Sequence, residues 1–417
     1  MLLINYLLIT LLSLGFFNVC VGHVNKKLSR VFSWKQINYN INGIKYTRDS
    51  DFERRPNGIL FDQEVENREK FFIQYNNVPV GFEVHRDKVF VTVPRRQYGI
   101  PSTLNYVPKS SEGSPELRPY PDGEDRSDLV SVYRPRVDAC DRLWMVDTGL
   151  LEVPGERRQL QKPAIVIYNL KTNRRLLKYE LKDTDLVNER TPGGLTSITV
   201  DVTKDTCDDA FAYINDLATE GLVVFSLKQL DSWRIQDNSF KHDPQALNFT
   251  VAGLVITWRD GLFGMALSDP DRTGKRTLYY RPLVSTQEFA VDTDILKNRR
   301  PFQSTLLGTR GSNTQSGSSG YDACTRTIFY ANVAQDAILC WNVDDKMAPE
   351  NVAIAVQDHS LLVYIADLKV IGDEVWMLVN QIPRFVLSKL NVTEFNFFVH
   401  KAKVQDLIRG TVCNKTS

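Results

Sequence analysis

Histidine is scarce in this 417-residue chain, with five copies, and methionine is no commoner. No pair of the six cysteines has CxxC spacing, which removes the usual framework of a structural zinc site. HExxH, a P-loop and GxGxxG are absent, and Gly317-Ser318-Ser319-Gly320 misses the GxSxG spacing of a nucleophile elbow. These gaps exclude the metalloprotease, nucleotide and hydrolase chemistries that such motifs carry. An excess of charge of one sign is missing too: 51 Lys and Arg stand against 50 Asp and Glu. No long-range field then favours nucleic acid or an anionic membrane, so partners are expected to be small or local. Helix-period amphipathic stretches are lacking, and beyond the N-terminus no run reaches the ~18 apolar residues of a membrane span.

What is present begins with an apolar run from Leu2 to Phe17, followed by Cys20-Val21-Gly22 with small residues at its first and third places. This reads as a signal peptide over residues 1–22, cleaved before His23, although no Lys or Arg precedes the run. The mature chain, 23–417, is then expected to be secreted and extracellular, as one domain. Five cysteines remain, Cys140, Cys207, Cys324, Cys340 and Cys413, enough for at most two internal bridges. Asn248, Asn391 and Asn414 open sequons and are permitted glycosylation sites.

Short β-rich runs dominate the rest, and one pattern recurs: a charged or glycine turn, then apolar and aromatic residues, then a polar stop. Its central aromatics are Phe90, Trp144, Tyr213, Tyr279, Phe329 and Trp376, spaced by 54, 69, 66, 50 and 47 residues. Repeats of that length predict an all-β, six-bladed β-propeller. Four strands and their turns need about 40 residues per blade, which leaves long loops on which a site can be built. Each marker strand is expected to be second in its blade. The glycine-rich runs before them, Val78–Val84, Val130–Val137, Gly193–Val200, Leu262–Leu267, Ser318–Asp322 and Val363–Val370, are expected to line the central channel. Arg30–Asn40 reads as an N-terminal strand that closes the ring against the C-terminal strands, removing the open edge. Pro108–Ser127, rich in Pro, Ser and charge, reads as a surface connection.

Several runs are specific in combination: Asn77-Val78-Pro79-Val80-Gly81, Gly99-Ile100-Pro101-Ser102-Thr103-Leu104, Val137-Asp138-Ala139-Cys140-Asp141-Arg142-Leu143-Trp144, Gly261-Leu262-Phe263-Gly264-Met265-Ala266-Leu267 and Cys340-Trp341-Asn342. On these the chain resembles the Yellow and major royal jelly protein family, from about Phe32 to Cys413. The resemblance implies an insect-type secreted propeller and pairs Cys140 with Cys207 and Cys340 with Cys413. Cys324 departs from the family pattern and is expected to be a free, partly buried thiol. The resemblance also implies a place in the melanin and pigmentation pathway, with conversion of dopachrome as the activity. Its alternatives are a binding protein for small aromatic amines or catechols and a structural protein of cuticle or eggshell. A calcium-dependent lactonase-like propeller is a third possibility by fold analogy.

Moving protons on an aminochrome needs a base, donors or a cation for the quinone oxygens and a flat aromatic slot, with no cofactor. The expected ligand is accordingly a small aromatic molecule in the central channel: a catechol, an aminochrome or a biogenic amine. Among acidic residues near the ends of inner strands, Asp367, Asp138 and Asp322 are the catalytic candidates. His85, His242, His359 and His400 read as solvated or structural. Asn380 matches a ligand-contacting position of amine-binding relatives, but Ala366 and Ile382 replace the hydroxyl and aromatic expected beside it, each a loss of about 1 kcal/mol. No metal site is expected: Asp269–Gly274 is only faintly like a calcium loop, and Pro270 and Arg272 make it read as a hairpin turn.

Overall fold

The computed structural model describes residues 27–49, 66–121, 128–153 and 155–415; the signal-peptide reading over 1–22 lies outside them. Six four-stranded antiparallel sheets succeed one another along the chain as the blades of a propeller. The strands Lys88–Thr92, Arg142–Asp147, Phe211–Asp216, Thr277–Pro282, Thr327–Asn332 and Glu374–Val379 carry the six marker aromatics, and each is second in its sheet. Their apolar runs follow from position. A second strand is sandwiched between neighbouring blades, so Arg142–Asp147, Phe211–Asp216 and Thr327–Asn332 are buried along their whole length. The outermost strand of blade 2, Arg174–Glu180, has one face in water and alternates accordingly.

Inner strands run where the repeat placed them, at Gly81–His85, Arg136–Val137, Ile198–Asp201, Leu262–Leu267, Ser316–Asp322 and Ile365–Ile371. Crowding at the axis explains their glycines. A Cβ on Gly264 would lie 2.5 Å from the Gly317 carbonyl, and one on Gly81 would collide with the Tyr133 carbonyl. Ring closure by the N-terminal strand holds with shorter bounds, and the reading of Pro108–Ser127 needs correction. The closing strand is Ser29–Trp34, paired with Phe397–Lys403; the chain then turns away and pairs Tyr39–Ile41 with Ile44–Tyr46. Pro108–Ser127 is not merely a surface connection, since Arg118–Pro119 supplies the fourth strand of blade 1 and Leu117 and Tyr120 are buried beside it.

Ring closure is dry. Phe32 and Trp34 are fully buried, and the Trp34 indole donates to the Pro115 carbonyl at 2.8 Å. One disulfide, Cys140–Cys207, joins blade 2 to blade 3; the other, Cys340–Cys413, ties the C-terminal tail to blade 5. Cys324 is free but exposed, not partly buried, because it sits in the turn between two strands of blade 5. Among the described residues no helix is long and apolar enough to cross a membrane.

Alternating strand direction places the lead-ins to the inner strands and the exits of the second strands on one face, here called the upper. The hairpins Leu150–Leu151 with Arg158–Gln159 and Asn248–Val251 with Leu254–Thr257, and the short helix Ile382–Leu387, all lie in connections on that face.

Candidate functional site

The central channel is divided. Arg134, on the lead-in to the blade 2 inner strand, donates through Nε to the Ala366 carbonyl at 2.8 Å and through Nη1 to the Thr196 carbonyl at 3.2 Å. Its guanidinium lies 4.7 Å from the centre of the Phe263 ring. It thus touches blades 3, 4 and 6 at once. Arg134 and Phe263 are the shared wall of two chambers, an upper one of about 340 Å³ and a lower one of about 150 Å³.

The upper chamber is built almost wholly from loops. Blade 1 contributes Arg96, blade 2 contributes Glu152 from its hairpin, and the lead-in to blade 4 contributes Trp258 and Asp260. Tyr133 donates to Glu152 Oε2 at 2.8 Å, and Arg96 Nε lies 3.6 Å from the same oxygen. Trp258 meets the Tyr364 ring edge-on, with centroids 6.0 Å apart. Tyr364 holds a backbone φ of 56°, a left-handed conformation in which bulky residues are strained, and the Asn380 N–H donates to its carbonyl at 3.3 Å.

Asp260 is the unusual group. Its carboxylate has no hydrogen-bond or ion-pair partner among the described residues. Burial pushes its pKa up to about 6, outweighing the pull of Arg96, Arg190 and His242. Such a carboxyl takes up a proton near neutrality more readily than a solvated one. Burial also holds Tyr133 up, helped by Glu152, and pushes Tyr364 up to about 12, so both phenols keep their protons at neutral pH. A base, a guanidinium, the Tyr364 phenol and an indole wall therefore share one chamber.

The residues singled out from sequence are distributed differently. Asn380 borders the upper chamber, yet its amide is engaged: Nδ2 donates to the Pro79 carbonyl at 2.8 Å and Oδ1 accepts from the Ile382 N–H at 3.0 Å. Asp367 belongs to the lower chamber, accepting from the Phe82 N–H and the Ser318 hydroxyl, both at 3.1 Å, with Lys369 Nζ at 3.3 Å. Asn380 and Asp367 thus lie on opposite sides of the Arg134 wall. Asp138 and Asp322 border neither chamber. Asp138 accepts from Arg142 Nε at 2.6 Å and Trp144 Nε1 at 2.7 Å, while Asp322 caps a turn through the Thr325 N–H and hydroxyl.

His85 lies 3.3 Å from Asp141, and His359 is exposed beside Asp336. His400 stacks on Phe398, where burial pushes its pKa down to about 4. Only His242, 2.5 Å from Glu220 through Nδ1, has an electrostatic reach to Asp260. Asn248, Asn391 and Asn414 are exposed. Among the described residues, no three of His, Cys, Asp and Glu gather as metal ligands.

Sequence reasoning missed Asp260, Arg96, Trp258 and the Tyr133–Glu152 pair. Apart from Asn380 it took acidic residues near the ends of the inner strands, whereas these residues precede inner strands or follow second strands. The usable signal was a charged or aromatic residue just before an inner run, as in Trp258-Arg259-Asp260-Gly261 and Tyr133-Arg134.

Residues 130–413 match the family described as major royal jelly protein. L-dopachrome tautomerase yellow-f of Drosophila melanogaster is 36% identical over 95% of this chain and 96% of its own length. Dopaminechrome tautomerase of the same species is 34% identical, covering 93% and 84%, and its Protein yellow is 34% identical, covering 98% and 74%. A solved structure of a protein of unknown function from Bacteroides thetaiotaomicron aligns over 90% of this chain and 75% of its own at 10% identity, with a TM-score of 0.48. The family match and relatives aligned along nearly the whole sequence establish that this chain belongs to the Yellow and major royal jelly protein family.

Proposed function

We propose that the protein is a secreted isomerase of aminochromes in the melanin pathway, acting in the upper chamber without a cofactor. In this reading residues 1–22 are removed as a signal peptide and 23–417 form the single propeller domain. The tautomerase names of two relatives support the reaction class. The observation that carries it is the Asp260 carboxylate, without a partner among the described residues and with its pKa raised to about 6, facing a chamber that also holds Arg96 and Trp258.

An aminochrome is a dihydroindole fused to an ortho-quinone. Its isomerisation breaks two carbon–hydrogen bonds of the five-membered ring and forms two O–H bonds at the quinone oxygens, so no external oxidant or reductant is needed. Asp260 takes the two carbon-bound protons one after the other, giving up the first before it accepts the second. Arg96 and the Tyr364 phenol stabilise negative charge as it develops on the quinone oxygens, and protonated Asp260 or water delivers a proton to each oxygen. Trp258 and Phe263 supply flat apolar walls for the bicycle. Amine capture is the weaker reading, since the Asn380 amide is already satisfied by the backbone.

The test follows the visible absorbance of L-dopachrome and of dopaminechrome with purified protein and with a D260N variant. Acceleration over a heat-treated control is expected, reduced about 10²- to 10⁴-fold by the substitution. Protein no faster than the control would reject the enzymatic reading; equal rates from D260N would reject Asp260 as the base.

A further inference from the structure

The charge balance of the upper chamber is lopsided in a protein that is otherwise nearly neutral. Four guanidiniums border it, from Arg96, Arg134, Arg157 and Arg190, against two carboxylates, Glu152 and Asp260. The surplus is not spread evenly. Glu152 is committed to Tyr133 and faces Arg96, and Arg134 spends two N–H groups on carbonyls in the wall. Arg190 and Arg157 lie at the rim and are exposed. The Arg190 guanidinium donates no hydrogen bond among the described residues, and Arg157 gives Nη2 to the uncharged Glu189 carbonyl at 3.2 Å.

These two side chains come from different elements. Arg157 stands in the turn of the blade 2 hairpin, and Arg190 in the connection from blade 2 to blade 3. Arg157 reaches the connection that carries Arg190: its Nη2 donates to the Glu189 carbonyl, and a Cβ on Gly193 would lie 2.9 Å from that nitrogen. Arg190 is also one of the two guanidiniums whose field reaches Asp260. A ligand anion held at the rim is therefore held close to the base.

We propose that the upper chamber, if it turns over aminochromes as argued above, selects those bearing a carboxylate on the five-membered ring over their decarboxylated counterparts, with Arg190 and Arg157 binding that carboxylate. The chemistry favours this arrangement. The carboxylate sits on one of the two ring carbons that must lose a proton and next to the other, so anchoring it at the rim presents the reacting C–H bonds to Asp260. Guanidinium forks match a carboxylate in geometry as well as charge, and Arg157 retains further donors beyond the one given to Glu189. A decarboxylated aminochrome leaves both guanidiniums without a partner and gains nothing from the surplus charge.

Binding and turnover separate this proposal from the isomerase reading. Calorimetric titration uses two stable probes, indoline-2-carboxylate and indoline, against wild type, R190Q and R157Q. The carboxylate probe is expected to bind wild type at least tenfold more tightly than indoline, and each substitution to weaken it about 10- to 100-fold while leaving indoline unchanged. In turnover at pH 8, where Asp260 is ionised with or without the Arg190 charge, each substitution should raise KM for L-dopachrome with little change in kcat and leave dopaminechrome unaffected. Equal affinity for the two probes, or equal losses on both, would overturn the selectivity. The binding result stands even if the wild type turns over neither aminochrome, an outcome that rejects only the isomerase. Both arginines are exposed, so at pH 4, where Asp260 is protonated in both states and the Arg190 field has nothing to act on, unchanged melting temperatures are expected for the variants and serve as the folding control.

Discussion

Asp260 carries a stability consequence as well as a chemical one. Its folded-state pKa, about 6, lies above the ordinary value of 3.8, so the folded protein holds this proton more tightly than the unfolded chain does. Below about pH 4 the group is protonated in both states and costs nothing. As pH rises towards 6 the unfolded chain ionises freely while the folded chamber resists, and stability falls; above about 6 the loss is complete. Arg96, Arg190 and His242 moderate that loss and burial causes it. D260N removes the ionisation altogether. Scanning calorimetry should find the variant melting above the wild type at pH 7.5, with the gap closing towards pH 4. A gap independent of pH would show that the carboxyl is not strained by its surroundings. A substitution that both stabilises the fold and abolishes turnover marks a residue kept for function.

Among elements, the C-terminal seam concentrates the long-range ties. Phe397–Lys403 is flanked by Glu374–Val379 on one side and Ser29–Trp34 on the other, so the last-made strand completes its blade with the first. The Cys340–Cys413 bridge spans 73 residues and fastens the tail just beyond this seam. A loop of that length restricts the unfolded chain by up to about 4 kcal/mol in the chain-entropy picture. The C340S/C413S double variant should therefore unfold at lower denaturant, with a loss of about 2–4 kcal/mol, and hydrogen exchange should quicken first in Phe397–Lys403. Unchanged midpoints would mean that strand pairing alone secures the tail. These elements were legible in the sequence for a physical reason. A strand pressed between two sheets must be apolar on both faces, and Trp144, Tyr213 and Phe329 therefore recur at blade spacing with polar stops after them. Asp260 and Arg96 left no such trace. They lie 164 residues apart, on connections of different blades, and nothing local distinguishes either from a solvated loop residue. Asp138 and Asp322 attracted notice because capping a turn and closing a catalytic site call for the same residue type at the end of a strand.

For the whole molecule, the near balance of 51 basic and 50 acidic residues hides a local surplus of positive charge at one mouth of the ring. Attraction of an anionic ligand therefore acts over about a Debye length at the rim and weakens with salt, while the rest of the surface stays indifferent. The wall made by Arg134 and Phe263 sets a further limit. Propellers invite the picture of a tunnel, open at both ends, through which substrate enters and product leaves. Here the guanidinium is fastened to Ala366 and Thr196 and laid against an aromatic ring, which turns the tunnel into two blind wells placed back to back. Traffic in the upper well must be two-way through one door. Under the proposed activity a departing dihydroxyindole occupies the place of the next aminochrome, so product inhibition should be competitive, a pattern that initial-rate measurements with added product would verify. A well of this kind empties before it refills, so accumulated product delays the next entry.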